Sequence, residues 1–318
     1  MKKFIIVLII AVVVIIGVYQ ITENIIPFFR SYDQLQEEAG KKYQEAQMWD
    51  GAPLVILAPL GRHVLGPVDK FMFKYKWQKS LKAFKKLHRF YPEESEKDKH
   101  YWLALANSYL YTGDYEKAKE CYKKGIELME AEHYGFDRPE AKFAKPIKKK
   151  IAELRALIWA HMDLAKCYKH LKQYEEALKE YDDILAFLPK ANYLDLNKKG
   201  DLFEGAFIKK AKIYKFNFKD YEEAIDTYEE MKVELKRPFY VSEAEIFIGD
   251  TYLAMGNIEK AKQIYQKVID IYKPEKVGNF DTAENRLRDL EKGEIIALDD
   301  IVYEIKDGKV TMRSVWKK

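Results

Sequence analysis

Catalytic signatures are what this sequence conspicuously lacks. There is no Walker loop, no GxGxxG, no GxSxG, no HExxH and no CxxC. The six histidines (His63, His88, His100, His133, His161 and His170) have no partner at metal-ligand spacing. No catalytic, cofactor or metal residue is therefore expected, and the chain reads as a non-enzyme. A strong charge bias is missing too. A net charge of +4 is too weak to argue for a nucleic-acid partner. Cysteine is scarce. Cys121 and Cys167 both sit in helical patterns beside a tyrosine and read as free, semi-buried thiols. A disulfide between them stays open if the body is extracytoplasmic.

One long apolar run is present. Met1-Lys2-Lys3 precedes residues 4–19, of which thirteen of sixteen are Phe, Ile, Val or Leu. At about −0.3 to −0.6 kcal/mol each, those thirteen supply roughly −4 to −8 kcal/mol for insertion. As a helix, residues 4–21 would span about 27 Å, close to a bilayer core. No A-x-A-like cleavage pair follows the run, and no cysteine directly after it allows lipoprotein processing. The expectation is an uncleaved signal anchor over residues 1–21, making a single-pass inner-membrane protein. Lys2 and Lys3 would keep the N-terminus cytoplasmic and leave the rest periplasmic. Secretion after signal cleavage is the alternative.

Residues 22–75 read as membrane-proximal. Residues 31–49 have a helical composition with Gly40 as a weak point. Residues 51–67 form an apolar stretch interrupted by Pro53, Pro59 and Pro67, which argues against a second membrane helix.

From residue 76 the pattern changes. Trp102, Leu105, Ala106 and Tyr109 fall at helical spacing, as do Tyr115, Ala118, Tyr122 and Gly125, with Thr112-Gly113-Asp114 between them. That is a helix–turn–helix hairpin with small residues at the crossing. It recurs at Leu164 to Pro189, with Lys172 in place of the turn glycine. A third copy runs from Ala211 to Met231, with a turn KFNFKD one residue longer. A fourth runs from Gly249 to Pro274. Trp77, Ser80, Phe84, Leu87 and Pro92 match a second helix alone; the first helix expected before it contains Pro67 and is degenerate. This pattern resembles the tetratricopeptide repeat family. Packed helices lie about 8–10 Å apart, so only Ala, Gly or Ser fits the closest approach. The copies are 59, 47 and 37 residues apart, counted from Tyr115, Tyr174, Tyr221 and Ile258, against a family period of about 34. Extended first helices are expected at residues 146–159 and 192–204.

The chain end, 279–318, reads as a capping helix started by Asp281 and Glu284 and stopped by Gly293, then a β-hairpin about Asp307-Gly308. Pairing Ile305 with Val310 would put Tyr303, Ile305, Val310 and Met312 on one face. The fold class is thus an all-α, tetratricopeptide-type α-solenoid over 76–278, with an N-terminal transmembrane helix and a small C-terminal β-hairpin.

The resemblance implies a function through an inward groove. The family's groove positions on each first helix carry over to Asn107, Tyr111, Trp159, Lys166, Lys169, His170, Lys212, Lys215 and Phe216, and in the fourth copy to Glu243, Ile246, Asp250, Leu253 and Ala254. A groove basic in its middle with aromatic sides suits an acidic or C-terminal peptide. A purely structural role for these lysines stays open. The carboxylate clamp of some family members is excluded, because Leu103 and Asp163 stand where it needs Lys and Asn. The expected function is a membrane-anchored adaptor in envelope assembly or secretion, binding a protein or peptide without cofactor or nucleic acid. Its rivals are a self-associating scaffold and an enzyme with an unrecognised site.

Overall fold

A computed structural model describes residues 30–48, 62–133, 147–191, 194–296 and 301–314. The expected anchor at 1–21 and the loop at 137–145 lie outside the described residues, as does most of the apolar stretch at 51–67. Among the described residues no helix is long and apolar enough to cross a membrane.

The chain divides into two compact units, residues 1–171 and 172–318. The N-terminal unit contains α1 (Tyr32–Met48), α2 (Arg62–Phe90), the short α3 (Pro92–Glu96), α4 (Lys99–Thr112), α5 (Tyr115–His133) and α6 (Ile147–His170). α1 packs on α2, α4 on α5 and α5 on α6. The first hairpin corrects the sequence reading. The partner of the Trp77–Leu87 helix is α1, not a degenerate helix around Pro67, and α2 runs unbroken from Arg62. Pro67, the sixth residue of that helix, forfeits one backbone hydrogen bond there, and the helix continues past it. Leu35, Ala39 and Ala46 of α1 are buried, as are Trp77, Ser80, Phe84 and Leu87 of α2. The expected boundary at residue 75 therefore falls inside one helix.

The C-terminal unit contains α7 (Tyr174–Leu185), α8 (Leu196–Ile213), α9 (Tyr221–Leu235), α10 (Pro238–Ala254), α11 (Ile258–Tyr272) and α12 (Phe280–Lys292). Each packs on the next, from α8 on α7 to α12 on α11. The same two residue types, an alanine and a tyrosine four places on, are buried on α5, α7, α9 and α11. Ala118 and Tyr122, Ala177 and Tyr181, Ala224 and Tyr228, and Ala261 and Tyr265 are all 0 or 1 % exposed. Alanine lets the axes approach and the ring fills the space beside the crossing.

The turns follow the sequence closely. Gly113 and Gly256 hold φ of 92° and 81°. Lys172, standing where the family has glycine, takes φ 61° regardless, at the strain a side chain pays in the left-handed region. The long KFNFKD turn is a π-helical segment, Tyr214–Phe218, closed by Lys219 at φ 61°. A π turn absorbs one extra residue without ending the helix before it. α6 is extended as expected, at 24 residues.

The capping helix begins at Phe280 after Asn279 with no side-chain cap bond, so Asp281 and Glu284 do not form the expected box. Glu284 instead meets Lys273, just past the end of α11, at 2.5 Å. Gly293 ends the helix at φ 78°. The hairpin has the expected register, Ile305 opposite Val310 and Tyr303 opposite Met312. It gains a strand that was not expected. β1 (Glu294–Ile296) pairs antiparallel with β2 (Ile301–Lys306), which pairs with β3 (Lys309–Ser314), giving the order β1-β2-β3.

Candidate functional site

In the N-terminal unit α1, α4 and α6 line a cavity of about 370 Å³. Its floor is organised by Asn107. The Asn107 Nδ2 donates to the Tyr43 hydroxyl at 2.8 Å, and the Tyr122 hydroxyl donates to Asn107 Oδ1 at 2.6 Å. One side chain therefore ties three helices together and is fixed in one orientation. Burial pushes the Tyr43 phenol up to about 12, so it stays protonated. Gly40 leaves the wall open, since a Cβ there would meet nothing within 4 Å. Trp159 stands at the rim with 65 % of its surface exposed.

One turn further on, rings and cations alternate. Tyr111 stacks on Trp77 at 4.5 Å, and the Lys166 ammonium lies 4.9 Å from the Tyr111 ring centre. His170 stacks face to face on Tyr115 at 4.1 Å. Partial burial, then the neighbouring Lys166 and Lys169 charges, lower the His170 pKa and favour the neutral ring. Asn107, Tyr111, Trp159, Lys166, Lys169 and His170 thus belong to one unit. Asn107 and Tyr111 are committed to packing, while Trp159 and His170 remain exposed.

Lys212, Lys215 and Phe216 lie in the C-terminal unit and differ from a basic groove. Lys215 is 0 % exposed. Its ammonium sits 3.3 Å from the Tyr303 hydroxyl and 4.6 Å over the Phe216 ring. Lys212 is half-buried near Glu243, whose carboxyl is held well above the usual range by burial and by the adjacent Glu204 carboxyl, with Lys212 acting the other way. The next inward positions, Ile246, Asp250 and Leu253, are all 0 % exposed. Asp250 takes Arg286 Nε at 3.0 Å and Nη2 at 3.3 Å, and accepts from the Tyr265 hydroxyl at 2.7 Å.

Sequence reasoning missed Gln36, Gly40 and Tyr43, which line the N-terminal cavity. The signal was present in α1, where Leu35, Ala39, Tyr43 and Ala46 repeat the small-and-aromatic spacing of the later helices. Both cysteines are buried free thiols, and burial pushes each up to about 12. That removes them from thiolate chemistry at neutral pH.

Tetratricopeptide repeat models match residues 100–131 and 246–274. The chain therefore carries tetratricopeptide repeats. No curated protein matches the sequence. Among solved structures it is similar to an array of nearly identical TPR-like repeats of kinesin-light-chain type from Podosopora anserina. That likeness has 16 % identity and a TM-score of 0.45, and covers 65 % of this chain and 94 % of that one. It is also similar to the MamA protein, with 18 % identity and a TM-score of 0.40 over 64 % of this chain and 87 % of that one. BtubC from P. vanneervenii gives 16 % identity and a TM-score of 0.41 over 83 % and 93 %. At this distance none of them carries a ligand or partner over to this chain.

Proposed function

We propose that the protein is a non-enzymatic adaptor whose N-terminal unit binds a protein or peptide on the face formed by α1, α4 and α6. The observation that carries this reading is Trp159, a large ring left 65 % exposed at the mouth of a cavity whose floor is hydrogen-bonded into one geometry. A rigid aromatic anchor beside a preorganised pocket is what a peptide side chain uses for affinity. Lys166 and Lys169 on the same helix add positive charge, which favours an acidic segment.

The apolar run at 4–21, flanked by Lys2 and Lys3, supports attachment to the inner membrane with the repeats on the far side. An adaptor so placed would serve envelope assembly or secretion. The rival reading, self-association through the C-terminal hairpin, is weakened because Tyr303 is spent inside its own unit at 0 % exposure.

The test is in-cell photo-crosslinking from position 159 in the full chain, compared with the exposed Lys179 on α7, followed by mass spectrometry. Discrete partners from position 159 that disappear in Lys166→Glu are the expected result. Equal, non-specific labelling from both positions would end the proposal. Membrane fractionation of the full chain against a chain lacking residues 4–21 tests the anchor.

A further inference from the structure

The inward face of the C-terminal unit is not empty. Three groove positions of its last repeat, Ile246, Asp250 and Leu253, and Lys215 from the repeat before, are completely buried. Asp250 is closed off by Arg286 of α12 and Tyr265 of α11, and the rest of the cover comes from the chain's own end. Tyr303, Val310 and Met312 join Ile246 and Leu253 in one apolar cluster, and β3 packs on α10. The Tyr303 hydroxyl reaches 3.3 Å to Lys215 across 88 positions of sequence.

We propose that residues 301–314 are a built-in occupant of this face, holding closed a second site that takes an extended peptide with apolar side chains at alternate positions around a tyrosine. The proposal rests on the reading that inward repeat faces bind peptides, and it goes further by naming what this one accepts.

Three features of the covering segment make it an occupant and not one more layer of the helical stack. It is extended, and one face of the hairpin enters the apolar cluster: Ile301, Tyr303 and Ile305 at alternate positions of β2, with Val310 and Met312 from β3. It follows a complete helical stop at Gly293, so the helical array ends before it begins. Its specificity contact is one polar atom, the Tyr303 hydroxyl, aimed at one buried lysine. A peptide with tyrosine at the matching position would repeat that contact, and one with phenylalanine there would forfeit it. A segment joined to the site by its own chain is favoured by effective concentration, so a free competitor must be abundant or the segment must first be loosened.

Hydrogen exchange on the full chain tests the first half of the idea. Amides of 301–306 and 309–314 should exchange through their own opening, at least about tenfold faster than the central amides of α10 and α11. Exchange at one common rate would make the sheet part of a single cooperative core and overturn the proposal. The second half uses a synthetic peptide of residues 301–314 as the probe. In the full chain carrying Tyr303→Ala, that peptide should bind at least about tenfold tighter than to the unaltered chain, and the same peptide carrying Tyr303→Phe should lose most of the gain. A Tyr303→Ala chain that keeps its helical circular dichroism yet captures no peptide would overturn it as well. If that variant fails to fold, exchange in the unaltered chain still decides. Substitution at Trp159 should change neither readout, so failure here and failure of the N-terminal site are told apart.

Discussion

The first-helix surfaces of the two units differ in how much of them reaches solvent. In the N-terminal unit the first-helix surface leaves Trp159 and His170 in solvent beside an open cavity. In the C-terminal unit the corresponding surface is sealed, with Ile246, Asp250 and Leu253 at 0 % exposure under the chain's own helix and sheet. A repeat pattern fixes where the first helix points its side chains. It does not fix whether that direction is solvent. What decides is the chain that follows. After α12 a sheet with an apolar face is available to cover the last repeats, and nothing among the described residues plays that part over Trp159.

The strongest way to break this comparison is at Asp250. If the C-terminal face is core, Asp250→Ala removes the carboxylate from the buried Arg286 guanidinium and the Tyr265 hydroxyl together. Breaking a buried pair from one side costs about 3–5 kcal/mol. Urea unfolding should show that loss. A loss under about 1 kcal/mol would mean that Arg286 escapes to water and the face is looser than its burial implies.

Next come two glycines at helix crossings, one in each unit. A Cβ at Gly249 would lie 2.5 Å from the ring of Tyr265, which is fully buried and hydrogen-bonded to Asp250. The ring cannot yield, so Gly249→Ala should destabilise by about 1–3 kcal/mol. A Cβ at Gly125 would lie 2.7 Å from the end of the flexible Leu103 side chain. Leu103 can turn aside, and the helix gains about 0.5–1 kcal/mol from losing a glycine. Gly125→Ala should come out near neutral by thermal melting. Equal losses at both positions would show that the two units are packed alike.

These contrasts mark what was readable in the residues. The crossings within each unit were legible because Ala118, Ala224 and Ala261 each precede a tyrosine by four, which puts a small residue and a ring on one helix face, and because that pairing recurs. The register of the hairpin was legible because Asp307-Gly308 permits the positive φ of 52° and 71° that its turn needs. α1 was not assigned to the array because the proline-interrupted apolar stretch after it separates it from its partner α2. The burial of Lys215 could not be read at all. A lysine at an inward helical position looks solvated until Tyr303, 88 residues on, is placed over it. Local pattern carries the repeats; the state of their inward faces is tertiary.

A smaller effect separates the units by pH. Glu243 has its folded pKa raised by burial and by Glu204. A raised carboxyl stabilises the fold most below the ordinary glutamate value, and that contribution is lost as pH climbs towards the folded value, because the unfolded chain then holds fewer protons. Gln mimics the protonated acid. The melting temperature of Glu243→Gln should therefore exceed that of the unaltered chain by more at about pH 8 than at about pH 5. His170, on the N-terminal unit, has the opposite sign. Its lowered pKa makes folding weaken as pH falls below the unfolded imidazole value of 6.5. A gap for Glu243→Gln that does not change with pH would mean that Lys212 already neutralises the pair.

The least effect on stability should come from the residue proposed as the binding anchor. Trp159 is 65 % exposed, so Trp159→Ala removes little buried surface and should stay within about 0.5 kcal/mol in urea unfolding. The Tyr43–Asn107–Tyr122 floor is untouched by that change, so the cavity keeps its shape. Loss of crosslinked partners with stability unchanged would identify the ring as a contact and not a prop. A loss of more than about 1 kcal/mol would show instead that Trp159 packs in solution, and the difference between an open and a sealed inward face would shrink accordingly.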